Sequence, residues 1–139
     1  MNKFEILQVN QTHPGLEALI SLSIGNPTSN KIKNVLAEYA AKDRFLLGCI
    51  ADNNLLVGIL GIKISASSGE ILHIAVLQKH QRTNIGSTLI QQAIEDFNLD
   101  SIYAETDHEG IDFYSKYGFS CVPCESKYEN RYICRWQAK

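Results

Sequence analysis

A polar segment, residues 76–87, has the residue types and spacing to hold an anion. Its sequence, VLQKHQRTNIGS, follows a strand-like run and leads into a strongly amphipathic run. Free N–H groups and the dipole at the start of a helix attract anions, and a pyrophosphate suits such a point. Gly86 would let the backbone approach a ligand closely, and Asn84 tolerates a left-handed backbone conformation better than most residues. Three side chains add positive charge around the loop: Lys79, His80 and Arg82.

Two other phosphate-binding patterns do not fit this segment. A P-loop requires Gly-x-x-x-x-Gly-Lys-Ser/Thr, but Ser87 follows Gly86 directly and no Lys intervenes. A dinucleotide fingerprint requires three spaced glycines, and this segment has one. Nucleotide hydrolysis and dinucleotide binding are therefore not expected.

Three segments of the chain resemble the GNAT superfamily of N-acetyltransferases. Gln81–Gly86 is similar to the family's acetyl-CoA signature, Gln/Arg-x-x-Gly-x-Gly/Ala, with the first and last fixed positions matched and Asn84 at the central glycine. Ile71–Val76 looks like the family's fourth strand, and Phe113–Phe119 matches its Phe-Tyr-x-x-x-Gly-Phe segment. Asp107 stands where many members have Asn. The order of the predicted elements also fits along essentially the whole chain.

The resemblance implies that acetyl-CoA is the cosubstrate and indicates where it binds. In the family fold the fourth and fifth strands splay apart, and the pantetheine arm lies in the gap as a substitute strand. Backbone groups of the fourth strand would pair with this arm, and loop amides would hold the pyrophosphate. The implied cofactor contacts come from Ile74, Ala75, Val76, Gln81, Arg82, Thr83, Asn84, Ile85, Gly86, Ser87, Asp107 and Tyr114.

Tyr114 is the general-acid candidate that the resemblance implies. Transfer from a thioester to an amine requires a neutral amine and a polarised carbonyl, and the leaving thiolate benefits from a proton. Tyr114 matches the family tyrosine that lies near the sulfur, and a backbone N–H near Val76 would polarise the carbonyl. The alternative is that Tyr114, beside Phe113, only packs against the neighbouring helix and strand.

Three candidates remain for the base that deprotonates the amine. Glu70 lies six positions before Val76, where histone-modifying members of the family carry a catalytic glutamate. His73 lies on the same strand, and an unperturbed histidine has a suitable pKa, about 6.5. Strand alternation places the two on opposite faces unless a bulge intervenes, as it often does in the family's fourth strand. Water is the third candidate.

A fold of both strands and helices has to position these residues. The hydrophobic periodicity predicts such a fold, because it switches repeatedly between two residues, typical of strands, and about 3.6 residues, typical of helices. We expect an α/β (α+β) fold, one domain over residues 1–139, with about four helices around a mixed, mostly antiparallel sheet. This sheet would have six or seven strands, splayed at the cofactor cleft, and one parallel βαβ unit. The predicted strands are 4–9, 44–51, 55–64, 70–77, 101–106, 119–123 and 131–136, and the predicted helices are 14–25, 32–40, 85–97 and 110–117.

Composition and charge argue against several classes of protein. Thirteen Lys plus Arg against fifteen Asp plus Glu give a net charge of −2, so nucleic acid is not an expected partner. No run of about 18 apolar residues or signal core occurs, which predicts a cytoplasmic protein without a membrane partner. The cysteines are therefore expected to be reduced, and the Cys-x-x-Cys spacing of Cys121 and Cys124 lacks the second pair that a metal site needs. The four cysteines are Cys49, Cys121, Cys124 and Cys134.

The predicted acceptor is a small-molecule or peptide amine, and its identity stays open. Between Thr83 and Ser115 there is no Lys or Arg, whereas seven acidic residues fall there: Glu95, Asp96, Asp100, Glu105, Asp107, Glu109 and Asp112. Three of them, Asp107, Glu109 and Asp112, precede or flank the Tyr114 segment. These three would favour a cationic amine if they border the acceptor mouth, whereas the alternative is a solvated acidic surface.

Two further functions stay open beside catalysis. One is an acyl-CoA sensor without turnover, because no base is certain. The other is a protein-interaction domain that forms a homodimer, in which the strand Arg131–Trp136 pairs with the same strand of a second copy. An edge strand of the chain's own sheet explains the alternation of this last segment equally well.

Overall fold

Seven strands and four α-helices make up the fold in the computed structural model, which describes residues 4–81, 83–125 and 131–139. All the predicted elements are present, and the bounds of β1, β2 and α3 are those predicted. The strands are β1 (Phe4–Val9), β2 (Arg44–Ala51), β3 (Leu56–Ser65), β4 (Ser68–Val76), β5 (Ser101–Asp107), β6 (Ser120–Pro123) and β7 (Arg131–Gln137). The helices are α1 (Leu16–Ser23), α2 (Ser29–Glu38), α3 (Ile85–Phe97) and α4 (Ile111–Tyr117).

The strands form one mixed sheet in the order β1-β2-β3-β4-β5-β7-β6. Neighbouring strands are antiparallel except β4 and β5, which are parallel and joined by α3. The predicted βαβ unit is therefore confirmed, as is the mostly antiparallel character of the sheet. β7 pairs within the chain's own sheet, as one of the two alternatives expected, but it lies between β5 and β6 and is not an edge strand.

Helices cover both faces of the sheet and enclose two apolar cores. On one face, Leu89 and Ile90 of α3 pack with Leu60 of β3, and on the other face Leu19 of α1 packs with Ile59. Because β3 is buried on both faces, its sequence is a nearly continuous apolar run. Within the described ranges, no helix is both long enough and apolar enough to span a membrane.

The final hairpin carries a disulfide, so the expectation of four reduced cysteines is wrong here. Cys121 of β6 lies directly opposite Cys134 of β7 in the antiparallel register, with their Cα atoms 4.0 Å apart and their sulfurs bonded. Spacing along the sequence did not show this pair because the hairpin register brings the two residues together. Cys49 and Cys124 are thiols. In the part of the chain that the structure describes, no group of three or more His, Cys, Asp or Glu side chains could hold a metal ion.

Reducing this disulfide is expected to lower the free energy of unfolding by about 2 kcal/mol, because the bond restricts the unfolded chain. The bonded residues are separated by 13 positions, a short loop. Urea denaturation monitored by Trp136 fluorescence, with and without reductant, measures the effect. Cys121→Ser should match reduced wild-type protein, and Cys124→Ser should behave as oxidised wild-type protein. Equal stability of the oxidised and reduced forms would contradict the prediction.

Candidate functional site

A cleft opens where β4 and β5 separate. Their parallel pairing runs from Ser68 opposite Ser101 to Ile71 opposite Ala104 and ends there. β4 continues to Val76, and in the described part of the chain only β3 pairs with this last stretch. The space between the strands is a cavity of about 440 Å³. Side chains that line it include Leu72, His73, Glu105, Asp107, Phe113 and Tyr114.

A β-bulge in β4 marks the start of this separation. Gly61 of β3 is opposite His73, but the next residue, Ile62, is opposite Ile71, so Leu72 is the extra residue. Ile71 packs into the core under α3, whereas Leu72 packs on the face that α1 and α2 cover. His73 contacts the end of α2 on that same face. Glu70 precedes Ile71, so strand alternation places it on the face that α1 and α2 cover. Because of the bulge, His73 lies on that face as well, together with Glu70.

His73 is held by a hydrogen bond to Tyr39, the residue that follows α2. The distance between the Tyr39 hydroxyl oxygen and His73 Nδ1 is 2.5 Å. Burial lowers the pKa of His73, and Glu38 and Arg44 act on it in opposite directions. The imidazole is therefore neutral at a pH where a free histidine is partly charged.

Tyr114 lies at the inner wall of the cleft. Its side chain is 5% exposed, and its ring contacts those of Phe113 and Phe119 edge-on. Burial raises the pKa of its hydroxyl, so the phenol keeps its proton throughout the neutral range. Tyr114 therefore packs in the core and also lines the cleft, and its role as general acid stays a prediction.

Glu70 is the one predicted catalytic side chain that lies away from the cleft walls. Its residue is opposite Tyr103 in the paired part of β4 and β5. Its carboxylate accepts a hydrogen bond from the Tyr103 hydroxyl at 3.1 Å. The structure thus brings His73 and Tyr114 together in the cleft and leaves Glu70 outside it.

The first turn of α3 has the free amides predicted for an anion site. Asn84 caps the helix in the left-handed conformation, with φ of 65°, which is the conformation that the family's glycine adopts freely. Its side chain makes no capping hydrogen bond within the described residues. The carbonyl of Asn84 accepts from the amide of Thr88, the first intrahelical bond. The amides of Ile85, Gly86 and Ser87 precede that bond and have no intrahelical acceptor.

The loop before α3 contacts the open edge of β4. The Gln81 side-chain amide donates to the carbonyl of Val76 at 3.2 Å, and the Thr83 hydroxyl donates to the carbonyl of His80. Ile74 and Val76 pack on the α3 face and Ala75 on the other. Within the described residues, β3 pairs with one backbone edge of this stretch, and the other edge faces the gap. Arg82, also predicted to contact the cofactor, lies outside the described residues.

Packing against Phe113 explains why residue 86 is a glycine. A Cβ atom at this position would lie 2.9 Å from Cε1 and 3.0 Å from Cζ of Phe113. The glycine therefore lets the start of α3 contact the Phe113 ring of α4, which borders the cleft. This contact could not be predicted from the sequence, because the two residues are far apart along the chain.

Carboxylates line the outer part of the cleft. Asp107 accepts a hydrogen bond from the amide of Gly110 at 3.1 Å and so shapes the turn into α4. Glu105 pairs with Arg131 at 3.1 Å. Together with Glu109, these side chains line the cavity. Of the three acids expected at the acceptor mouth, Asp107 and Glu109 line the cleft and Asp112 does not, and Arg131 lies among the lining acids.

Tyr39 and Gly61 are the site residues that the sequence analysis missed. Tyr39 falls within the predicted helix 32–40, and in the structure it is 6% exposed and in the core. Gly61 falls within the predicted strand 55–64. A glycine within a strand can signal a close approach by another group, and that was the available signal.

The comparisons with known proteins agree with this geometry. The family model described as an acetyltransferase (GNAT) domain matches residues 42–121, more than half of the chain. A search of curated proteins found no match. Among solved structures, the chain is similar to a Bacillus subtilis acetyltransferase in complex with CoA, with 21% identity, a TM-score of 0.74, and 99% of this chain and 100% of that chain covered.

Two further solved structures have the same fold. One is a GNAT family acetyltransferase from Elizabethkingia anophelis with acetyl-CoA bound, at 19% identity and a TM-score of 0.72, covering 97% of this chain and 98% of that chain. The other is the PaiA N-acetyltransferase from Thermoplasma acidophilum in complex with coenzyme A, at 19% identity and a TM-score of 0.73, covering 98% and 99%. At these identities the structures show the fold, and the matched family model shows the membership. The chain belongs to the GNAT family of acetyltransferases.

Proposed function

We propose that this enzyme transfers the acetyl group of acetyl-CoA to a primary amine, which attacks the thioester directly. The observation that carries the proposal is the separation of β4 from β5 after Ile71. It creates a cleft with a buried tyrosine, Tyr114, and leads to the free amides at the start of α3. This arrangement supports binding, activation and proton donation along one continuous surface.

The residues present fit acetyl-CoA, the family's cosubstrate. Three amides without intrahelical acceptors, at Ile85, Gly86 and Ser87, suit a diphosphate. The unpaired edge of β4 suits the amide groups of a pantetheine arm, since both offer backbone-type donors and acceptors. At Val76 the arm would take the place of the Gln81 side chain on the carbonyl.

Tyr114 and water transfer the protons in the proposed reaction. Acetyl-CoA supplies an acetyl group activated as a thioester. As the amine nitrogen bonds to the carbonyl carbon and the C–S bond breaks, Tyr114 gives its hydroxyl proton to the sulfur. Water removes the proton that the amine loses and returns one to the Tyr114 oxygen. Glu70 takes no step in this scheme, because its carboxylate is bonded to Tyr103 outside the cleft.

The acceptor that fits the cleft best is an amine with a second positive charge, either a small molecule or a peptide. Glu105, Asp107 and Glu109 line the cavity, and Arg131, paired with Glu105, is the cation beside them. The excess of negative charge would raise the local concentration of a cationic acceptor. A diamine should therefore be a better substrate than a monoamine of equal length, by a margin that added salt reduces.

The function is tested by isothermal titration with acetyl-CoA, followed by assays of CoA release with primary amines. We expect saturable binding and amine-dependent release, with the acetyl group recovered as an amide. Desulfo-CoA is the control for binding without a reactive thioester. Saturable binding without release for any amine would favour the acyl-CoA sensor, and no binding would refute both functions.

We further propose that the reaction takes place in the cytoplasm. Acetyl-CoA, the proposed cosubstrate, carries several phosphate charges that prevent its unaided passage across a membrane, so the enzyme has to share a compartment with an acetyl-CoA pool. The Cys121–Cys134 disulfide is unusual for a reducing compartment. Rapid alkylation of thiols in intact cells would show what fraction of the protein carries this bond there.

A further inference from the structure

Three residues from separate elements meet beside the cleft. Gly61 of β3 lies opposite His73 of β4, and the Tyr39 side chain crosses over Gly61 to reach the histidine. A Cβ atom at position 61 would lie 1.8 Å from the Tyr39 hydroxyl oxygen and 2.5 Å from Cζ. The hydroxyl can therefore bond to His73 only because residue 61 is a glycine.

The hydrogen bond between Tyr39 and His73 fixes which ring nitrogen carries the proton. If Nδ1–H donated to the Tyr39 oxygen, the hydroxyl proton would need another acceptor in a site where Tyr39 is 6% exposed. Within the described residues, its hydrogen bond is to His73 alone. A buried donor without a partner costs about 1–3 kcal/mol. The hydroxyl therefore donates to Nδ1, and in the neutral ring the proton lies on Nε2.

We propose that Tyr39 is a positioning residue that fixes His73 as the Nε2–H tautomer, so that His73 is a hydrogen-bond donor to bound substrate and not the base. The role in catalysis rests on the proposed function, whereas the tautomer does not. His73 lines the cleft, and Nε2 is the ring nitrogen that Tyr39 leaves free. A nitrogen that already carries a proton cannot accept one from the amine.

The charges around His73 are consistent with a neutral ring. Glu38 and Arg44 lie on the helix side and pair with each other at 3.0 Å, so their effects oppose. Glu105 and Asp107 line the cleft on the other side. Burial has the largest effect and lowers the pKa of His73. The donated hydrogen bond stabilises the neutral form further, because it is lost when Nδ1 is protonated.

Nitrogen-15 NMR of histidine-labelled protein without ligand tests the tautomer directly. At pH 8 we expect wild-type His73 to show a protonated-type shift at Nε2 and a lone-pair-type shift at Nδ1. Tyr39→Phe keeps the ring in the core but removes the donor, so it should give a mixture of tautomers and a raised pKa for His73. Gly61→Ala should do the same, because it displaces the hydroxyl.

The matched control is Tyr117→Phe, which removes a hydroxyl that bonds to Gln91 at 3.0 Å on another part of the surface. It should leave both the tautomer and the pKa of His73 unchanged. A wild-type signal with the proton on Nδ1 would overturn the proposal. A Tyr39→Phe spectrum identical to that of the wild type would overturn it as well. These NMR results do not depend on turnover, so a failure of the proposed function can be distinguished from a failure of the proposed tautomer.

Kinetics separate the donor role from the base role. Glutamine offers an amide N–H but cannot act as a base near neutral pH, so His73→Gln should retain kcat within about tenfold of the wild type. His73→Ala should lose about 100-fold, the size expected for one transition-state donor. Tyr39→Phe should lose about tenfold in kcat with little change in KM. Equal large losses in His73→Gln and His73→Ala would assign the base role to His73 and overturn the proposal.

Discussion

Replacing Tyr114 by phenylalanine is expected to lower kcat by about 100-fold while the affinity for acetyl-CoA changes little. General acid catalysis contributes roughly 10²–10⁴-fold, and the substitution removes only the hydroxyl. The ring keeps its edge-on contacts with Phe113 and Phe119, so the fold should be preserved. Steady-state kinetics and titration with acetyl-CoA measure the two effects separately.

The pH dependence adds a second check on Tyr114. Burial raises the pKa of its hydroxyl, so the proton that it donates is present across the neutral and mildly alkaline range. Wild-type kcat should therefore show no loss due to this group up to about pH 10, the ordinary pKa of tyrosine. Tyr117→Phe, the matched control, should leave kcat unchanged. If Tyr114→Phe also leaves kcat unchanged, Tyr114 only packs and water protonates the sulfur.

The elements of this fold are predictable because their signals are local. The alternation of β1, the apolar run of β2 and the apolar stripe of α3 predicted their bounds correctly. The parallel βαβ unit followed from the order of elements, since two successive parallel strands need a crossover. Asn84 also behaved as its residue type indicated, with a left-handed backbone where the family has glycine.

The contacts that complete the site were not predictable, because they depend on register and on the packing of distant segments. The bulge at Leu72 changes the face of His73 relative to Glu70, and simple alternation does not show it. The disulfide depends on β6 and β7 pairing in one register. The contact of Tyr39 with His73 requires a helix, a glycine and a bulge to coincide. Each of these features depends on which residues the folded chain brings into contact.

Gly86→Val is expected to lower the free energy of unfolding by about 3 kcal/mol, the upper part of the range for overpacking. Its Cβ would lie 2.9 Å from the Phe113 ring, and the branched side chain adds two more methyl groups in the same space. The start of α3 would have to move away from α4. Because this displaces the amides that we assign to the diphosphate, the affinity for acetyl-CoA should fall at least tenfold. Urea denaturation and isothermal titration measure the two losses.

Combining Gly86→Val with Phe113→Leu tests whether residue 86 has to be small for packing or for ligand binding. The leucine shortens the side chain that a Cβ at 86 would meet, so Gly86→Val should destabilise this background much less than the wild type. If the glycine serves packing alone, the affinity for acetyl-CoA recovers together with the stability in the double variant. If it also serves close approach of the ligand, stability recovers while affinity stays low, because a β-branched side chain still covers the amide. Equal destabilisation in both backgrounds would contradict the contact with Phe113 as the cause.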